Sequence, residues 1–111
     1  MKASEIWLVN FSPQVGQEIA KIRPAVIVSQ DDFGALDLKI VAPITGASAD
    51  PRHWHVALDP TPKNNLMKTS VVDCFQLKSF SHDRFVRKIG ILSPIEMAKI
   101  KATLAMVLDL V

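Results

Sequence analysis

Two β-branched runs lie close together in this chain, Ile22-Arg23-Pro24-Ala25-Val26-Ile27-Val28-Ser29 and Leu38-Lys39-Ile40-Val41-Ala42-Pro43-Ile44-Thr45, and they constrain the fold more than any other feature. Each has the length and composition of a strand. Between them, Gln30 to Asp37 carries acidic turn residues and Gly34, enough to reverse the chain. Two strands joined in this way pair antiparallel, with the start of the first beside the end of the second. The pairing predicts Arg23 next to Thr45. A permanent cation beside a hydroxyl suits an anionic ligand, most simply a phosphate. Spacing alone also allows, and favours, a solvated strand end and an ordinary turn residue.

With 111 residues, about half of them apolar, the chain is expected to form one domain over 1–111 and to bury a core without disulfide or metal staples. The single Cys74 lies in an apolar run without a partner, which points to a packed thiol and a reducing, cytoplasmic setting. No apolar signal region opens the sequence and no stretch reaches 18 uncharged apolar residues, so no membrane association is expected. A formal net charge of +2, from 13 basic and 11 acidic residues, is too mild to assign nucleic-acid binding by itself. The local distribution is more informative. Lys63 and Lys68 flank one loop, and Lys78, Arg84, Arg87 and Lys88 cluster after Asp73, forming either an anion-binding groove or a strand edge guarded against aggregation.

Along the chain, Glu5 to Phe11 reads as a first strand stopped by Ser12-Pro13, and Gln14 to Ile22 as a long loop leading to Arg23. The small, breaker-rich Gly46 to Pro51 reads as a second loop beside Thr45. Period-2 alternation in His53-Trp54-His55-Val56-Ala57-Leu58 places both histidines on one face. One further histidine and no nearby cysteine leave a tetrahedral metal site incomplete, so no metal and no cofactor are expected. Asp59 to Asn65 is a proline-stiffened loop. Thr69 to Phe80 reads as one bent strand, with Asp73, Phe75, Leu77 and Ser79 on one face and Val72, Cys74, Gln76 and Lys78 on the other. Phe85 to Ile89 is a last short strand ended by Gly90. Ser93-Pro94-Ile95-Glu96 has the pattern of a capping box with proline at the first helical position. In the helix that follows, Met97, Ile100, Leu104, Val107 and Leu110 form a broad apolar face beside a small-residue stripe of Ala98, Ala102 and Ala105, more than one sheet needs and suggestive of subunit contact. The expected class is mainly β, a small, strongly bent or closed antiparallel sheet with a C-terminal α-helix.

Read together, Gly16-Gln17-Glu18, Arg23-Pro24-Ala25-Val26-Ile27-Val28, Val41-Ala42-Pro43-Ile44-Thr45, His55-Val56-Ala57-Leu58, Ser70-Val71-Val72 through Gln76, Asp83-Arg84-Phe85, Lys88-Ile89-Gly90 and Leu92-Ser93 follow one another at the spacing of a known family. The chain resembles the MazF/PemK (Kid) toxins of bacterial type II toxin-antitoxin modules nearly end to end. That resemblance implies an SH3-like barrel with a C-terminal helix, usually a homodimer. It further implies a metal-independent endoribonuclease that cuts single-stranded RNA, commonly mRNA, and is neutralised by a cognate antitoxin protein. The family's catalytic arginine and its phosphate-holding threonine correspond to Arg23 and Thr45. RNA contact is implied for Gln17, Glu18, Gln76, Lys78, Ser79 and Arg84.

The chain also departs from the family. The acidic residue that many members carry before the glutamine is Phe75 here, and Asp73, on the same face of a regular strand, is the expected substitute as base or orienting group. Phe75 itself is expected to pack in the core, with stacking on an unpaired base as the other reading. The polar and glycine residues usual before Arg-Pro are replaced by Ile19, Ala20 and Lys21. Two alternatives remain beside the nuclease: a non-catalytic toxin of the same fold acting on DNA gyrase, as CcdB-like toxins do, and an RNA-binding regulator without cleavage.

Overall fold

The computed structural model describes residues 1–33, 35–47 and 50–110. Gly34 and part of the loop expected over 46–51 thus lie outside the described residues. Seven strands and one helix follow in the order β1 (Glu5–Asn10), β2 (Ile22–Ile27), β3 (Leu38–Gly46), β4 (His55–Leu58), β5 (Ser70–Asp73), β6 (Lys78–Ser81), β7 (Phe85–Ile91) and α1 (Pro94–Val107), with short 3-10 turns at Asp31–Phe33 and His82–Arg84. All pairings are antiparallel, and the sheet runs β4-β5-β3-β2-β1-β7, with β6 also on β3. The nine-residue β3 is the central element. Its first half, Leu38 to Val41, pairs with β6, and its last three residues, Ile44 to Gly46, pair with β5.

The unbroken apolar runs of β1 to β3 follow from burial on both faces, which removes the need for polar alternation. Ile6, Val26, Ala42 and Ile44 belong to one core, with Val72, Leu92 and Met97 and Ile100 of α1. Val9, Ala25, Ile27 and Val41 belong to a second core, closed by the edge-to-face pair of Phe11 and Phe80 at 5.1 Å. Cys74 is buried in the first core, and burial pushes its thiol up to about 11. The capping box forms as read: the Ser93 hydroxyl accepts from the Glu96 amide, and the Glu96 carboxylate accepts from the Ser93 amide. Met97, Ile100, Leu104 and Val107 pack inward, whereas Leu110 is exposed and not part of that face.

Several expectations need correction. The stretch from Thr69 to Phe80 is two strands, because the Asp73 carboxylate accepts the Phe75 amide at 3.0 Å and turns the chain out of β5. Asp73 and Phe75 therefore do not share a face: Asp73 is buried, and Phe75 is 67% exposed instead of packed in the core. β4 begins only at His55, so His53 and Trp54 belong to the preceding turn. Gly90 lies inside β7, opposite Ile6, and does not end the strand.

Gly90 has a different purpose. A Cβ there would lie 2.4 Å from the Asn64 carbonyl oxygen and 2.7 Å from that of Lys63, so the missing side chain lets the loop after β4 lie directly on β7. The Ile91 amide donates to the Lys63 carbonyl, and the Asn65 side chain donates to the Ile89 carbonyl at 2.8 Å. Asn65 holds a left-handed φ of 54°, a conformation that asparagine tolerates well. The fully buried Asn64 accepts from Thr61 and Leu66 amides and donates to the Asp59 carbonyl, which satisfies its side chain and shapes the loop. This loop joins the two outer strands of the sheet and gives the curl its closure.

Gly90→Ala is expected to lower stability by about 3 kcal/mol, because the obstructing atoms are backbone and cannot rotate away; urea unfolding measures this. On the β1–β7 seam, burial acts to raise the Glu5 carboxyl, but hydrogen bonds from the Trp7 indole, the Lys2 amide and the Lys88 ammonium outweigh it and bring the group down to about 2. A carboxyl lowered on folding stabilises the native state above its ordinary 4.5, and that contribution fades as pH falls toward 2. Glu5→Gln should accordingly lose less stability than the parent chain between those two pH values, as followed by urea titrations at each pH.

Candidate active site

The β2–β3 register pairs Ala25 with Pro43, Val26 with Ala42 and Ile27 with Val41. The ladder stops at Ala25 and Pro43, and beyond its end Arg23 pairs with Val9 of β1 and Thr45 with Val71 of β5, so the two residues flank the point where β2 and β3 part. Both line one cleft of about 500 Å³, with Arg23 exposed and Thr45 half-buried. The cleft crosses the strand ends from β7 and β1 to β3 and β5, and the Asn64-shaped loop forms its far wall. Besides Arg23, its cations are Lys68 and Arg87; Asn65, Ser70 and Thr45 add an amide and two hydroxyls. Among the described residues, no carboxylate or imidazole lines it. The Arg23 Nε donates to the Ala20 carbonyl at 3.3 Å, which orients the guanidinium and leaves both terminal nitrogens available. Such an arrangement grips an anion and stabilises charge that builds on phosphate oxygens.

A second cleft, of about 690 Å³, lies at the other end of β5, where Gln17, Glu18, Asp73, Gln76 and Lys78 meet Trp54, His55 and Phe75. Here the polar groups are largely engaged with one another. Gln76 accepts the Ile19 amide at 2.8 Å and donates to Asp73 at 3.2 Å, while Lys78 is bonded to Glu18. The Lys78 hydrogen bond holds the Glu18 carboxyl below its usual range. Together these contacts tie the long loop before β2 to the β5–β6 turn. His55 accepts the Arg52 amide through Nδ1 and places Nε2 3.9 Å from the Asp73 carboxylate. Phe75 stands exposed beside Trp54, with ring centroids 5.9 Å apart. Among the described residues, no three potential metal ligands gather.

The predicted site residues are therefore divided. Arg23 and Thr45 are brought together; Asp73, Gln17, Glu18, Gln76 and Lys78 are brought together elsewhere. The Ser70 end and the Asp73 end of β5 are three residues, about 10 Å, apart. Asp73 lines the cleft of Gln76 and Lys78 and not that of Arg23, and its two oxygens accept from Phe75 and Gln76. Ser79 lies on neither cleft but beside a small apolar hollow with Phe33, Leu38 and Ile40. Arg84 is engaged too: its Nη1 donates to the Asn10 and Ser12 carbonyls at 3.1 and 2.6 Å, and its guanidinium lies 4.6 Å from the Phe80 ring centroid.

Residues 2–108 match the model of the PemK-like, MazF-like toxins of type II toxin-antitoxin systems. The chain belongs to that family. This PemK/MazF-like chain is 32% identical over 116 residues to endoribonuclease MazF9 of Mycobacterium tuberculosis, covering 99% of this chain and 98% of that protein. It is 30% identical over 102 residues to endoribonuclease MazF of Staphylococcus saprophyticus, covering 90% and 84%. Its fold matches MazF from Deinococcus radiodurans with a TM-score of 0.82 at 23% identity, over 98% and 96% of the two chains. It also matches a mycobacterial endoribonuclease solved with its cognate antitoxin, with a TM-score of 0.80 at 18% identity, over 100% and 97%.

For this PemK/MazF-like toxin the sequence reading did not place Asn65, Lys68 and Arg87 beside Arg23 and Thr45. The basic residues were visible as local charge, but their convergence depends on a loop folding onto β7. The sequence sign of that fold is Gly90, a glycine within a strand, where close approach of another backbone is a standard reason for its presence.

Proposed function

We propose that this toxin is a metal-independent endoribonuclease cutting single-stranded RNA, and that Arg23 and Thr45 hold the scissile phosphate. The observation that carries the reading is their shared position in a cleft lined by cations and, among the described residues, free of carboxylates. In the reaction, a ribose 2′-oxygen attacks the adjacent phosphorus while the bond to the 5′-oxygen breaks. A 2′,3′-cyclic phosphate and a 5′-hydroxyl result, the proton leaving the 2′-oxygen and another reaching the 5′-oxygen. Arg23 neutralises the equatorial oxygens as charge grows, and Thr45 donates a hydrogen bond to them. Arginine stays protonated, so its role is electrostatic.

The rest of the proposal concerns partners and setting. The toxin works in the cytoplasm as a homodimer of one domain over 1–111, and a cognate antitoxin neutralises it by covering the RNA surface. The exposed Ile95, Met106, Leu108 and Leu110 along and beyond α1, and Phe33, Leu36, Leu38 and Ile40 around the start of β3, supply apolar surface for such partners. No helix among the described residues is long and apolar enough to cross a membrane. In the second cleft, the RNA strand runs past Gln17, Glu18, Gln76 and Lys78, with Phe75 and Trp54 as a stacking face for an unpaired base. The absence of a carboxylate or imidazole beside Arg23, among the described residues, favours one second reading, an RNA-binding regulator that does not cut.

Purified protein incubated with single-stranded RNA in EDTA should release fragments with 5′-hydroxyl and cyclic-phosphate ends. Arg23→Ala should reduce the rate at least a hundredfold, and end-mapping by kinase labelling reads both. Binding without fragments would establish the regulator instead. Phe75→Ala should weaken RNA binding by about 1 to 3 kcal/mol, measured by fluorescence anisotropy, with little change in unfolding midpoint because the side chain is exposed.

A further inference from the structure

Four basic residues crowd the C-terminal third of the sheet, and the structure gives them different occupations. Lys78 is bonded to Glu18, Arg84 to two backbone carbonyls, and Lys88 to Glu5 at 3.1 Å. Arg87, next to Lys88 on β7 and on the other side of the strand, has no hydrogen-bond or ion-pair partner among the described residues and lines the Arg23 cleft. It pairs with Leu8 of β1, the strand that separates β7 from β2. Its backbone thus stands two strand spacings, about 10 Å, from that of β2 at Pro24, the neighbour of Arg23.

Lys68 reaches the same cleft from the opposite wall. Its ammonium and Cε lie 3.0 Å from where a Cβ of Gly46 would stand, so the end of β3 is bare where the lysine crosses it. No carboxylate among the described residues lies within 4 Å of it. The backbone that carries it is pinned by Asn64 and Asn65 against β7. Among the described residues, two cations without ion-pair partners thus flank Arg23 and Thr45, one from β7 and one from the loop, in a cleft that no carboxylate lines.

We infer that Lys68 and Arg87 are phosphate-positioning residues that hold the RNA backbone on the two sides of the phosphate gripped by Arg23 and Thr45. This rests on the RNA-cutting reading and adds to it the path of the strand: across the ends of β7, β1, β2 and β3 toward the loop. Neither side chain takes part in bond making. Each neutralises one neighbouring phosphate, so its contribution is independent of sequence and sensitive to salt.

The test is equilibrium binding of a short mixed-sequence single-stranded RNA with 2′-fluoro sugars, which cannot cyclise, at several salt concentrations. Each neutralised phosphate adds about 0.7 to the slope of log affinity against log salt. Arg87→Gln and Lys68→Gln should each make the slope shallower by about 0.7, and the double variant by about 1.4. Arg87→Lys should keep the slope of the parent chain, as should Lys99→Gln on the exposed side of α1. Circular dichroism melts verify that the variants fold, and cleavage assays should show KM rising several-fold with a smaller effect on kcat. Unchanged slopes in either single variant overturn the inference. If that happens while Arg23→Ala still abolishes cutting, the nuclease reading stands alone; a parent protein that binds no RNA overturns both.

Discussion

The meeting of two backbones at Gly90 governs the geometry of this molecule. Because that residue has no side chain, the Lys63–Asn64 peptide can sit against β7, and a buried asparagine bonded to three backbone groups keeps it there. Everything on the far wall of the Arg23 cleft follows from this contact, including Asn65 in its left-handed conformation and the direction of the chain through Lys68. The sheet alone would present Arg23 and Thr45 on an open shelf. The loop turns the shelf into a cleft.

The two clefts differ in how their charge is compensated. Around Gln76 the loop before β2 is held by Lys78, Glu18 and Asp73, so these polar groups compensate one another while holding the loop. Around Arg23 the cations face no such partners among the described residues. A buried or paired charge is held where it is, whereas an unpaired one on a concave wall attracts a counter-charge from solution. The division separates residues that the sequence reading had pooled, with Asp73 on the Gln76 side and Arg23 and Thr45 on the other.

Much of the fold was legible in the residues. The β2 and β3 runs announced their pairing, and with it the Arg23–Thr45 neighbourhood, because antiparallel register follows from the turn between them. Ser93-Pro94-Ile95-Glu96 marked the helix start for a local reason, the mutual capping of two amides. Features that depend on distant contacts were not legible. The break after Asp73 interrupts a strand whose composition is otherwise continuous, and β5 and β6 run on in the same direction against β3; its sign was an aspartate two residues before an amide it could accept, easily lost among β-branched neighbours. Lys21 illustrates the same limit, since its φ of 68° appears in place of the glycine usual before Arg-Pro, and only the surrounding structure holds a lysine there.

Burial of β1, β2 and β3 on both faces carries an evolutionary implication. A strand wedged between two cores offers hardly any position where a side chain can be exchanged without disturbing packing. Substitutions that leave both cores undisturbed are then concentrated in the connecting segments over 12–21, 59–69 and 74–77. The scaffold stays fixed while its rims are rewritten.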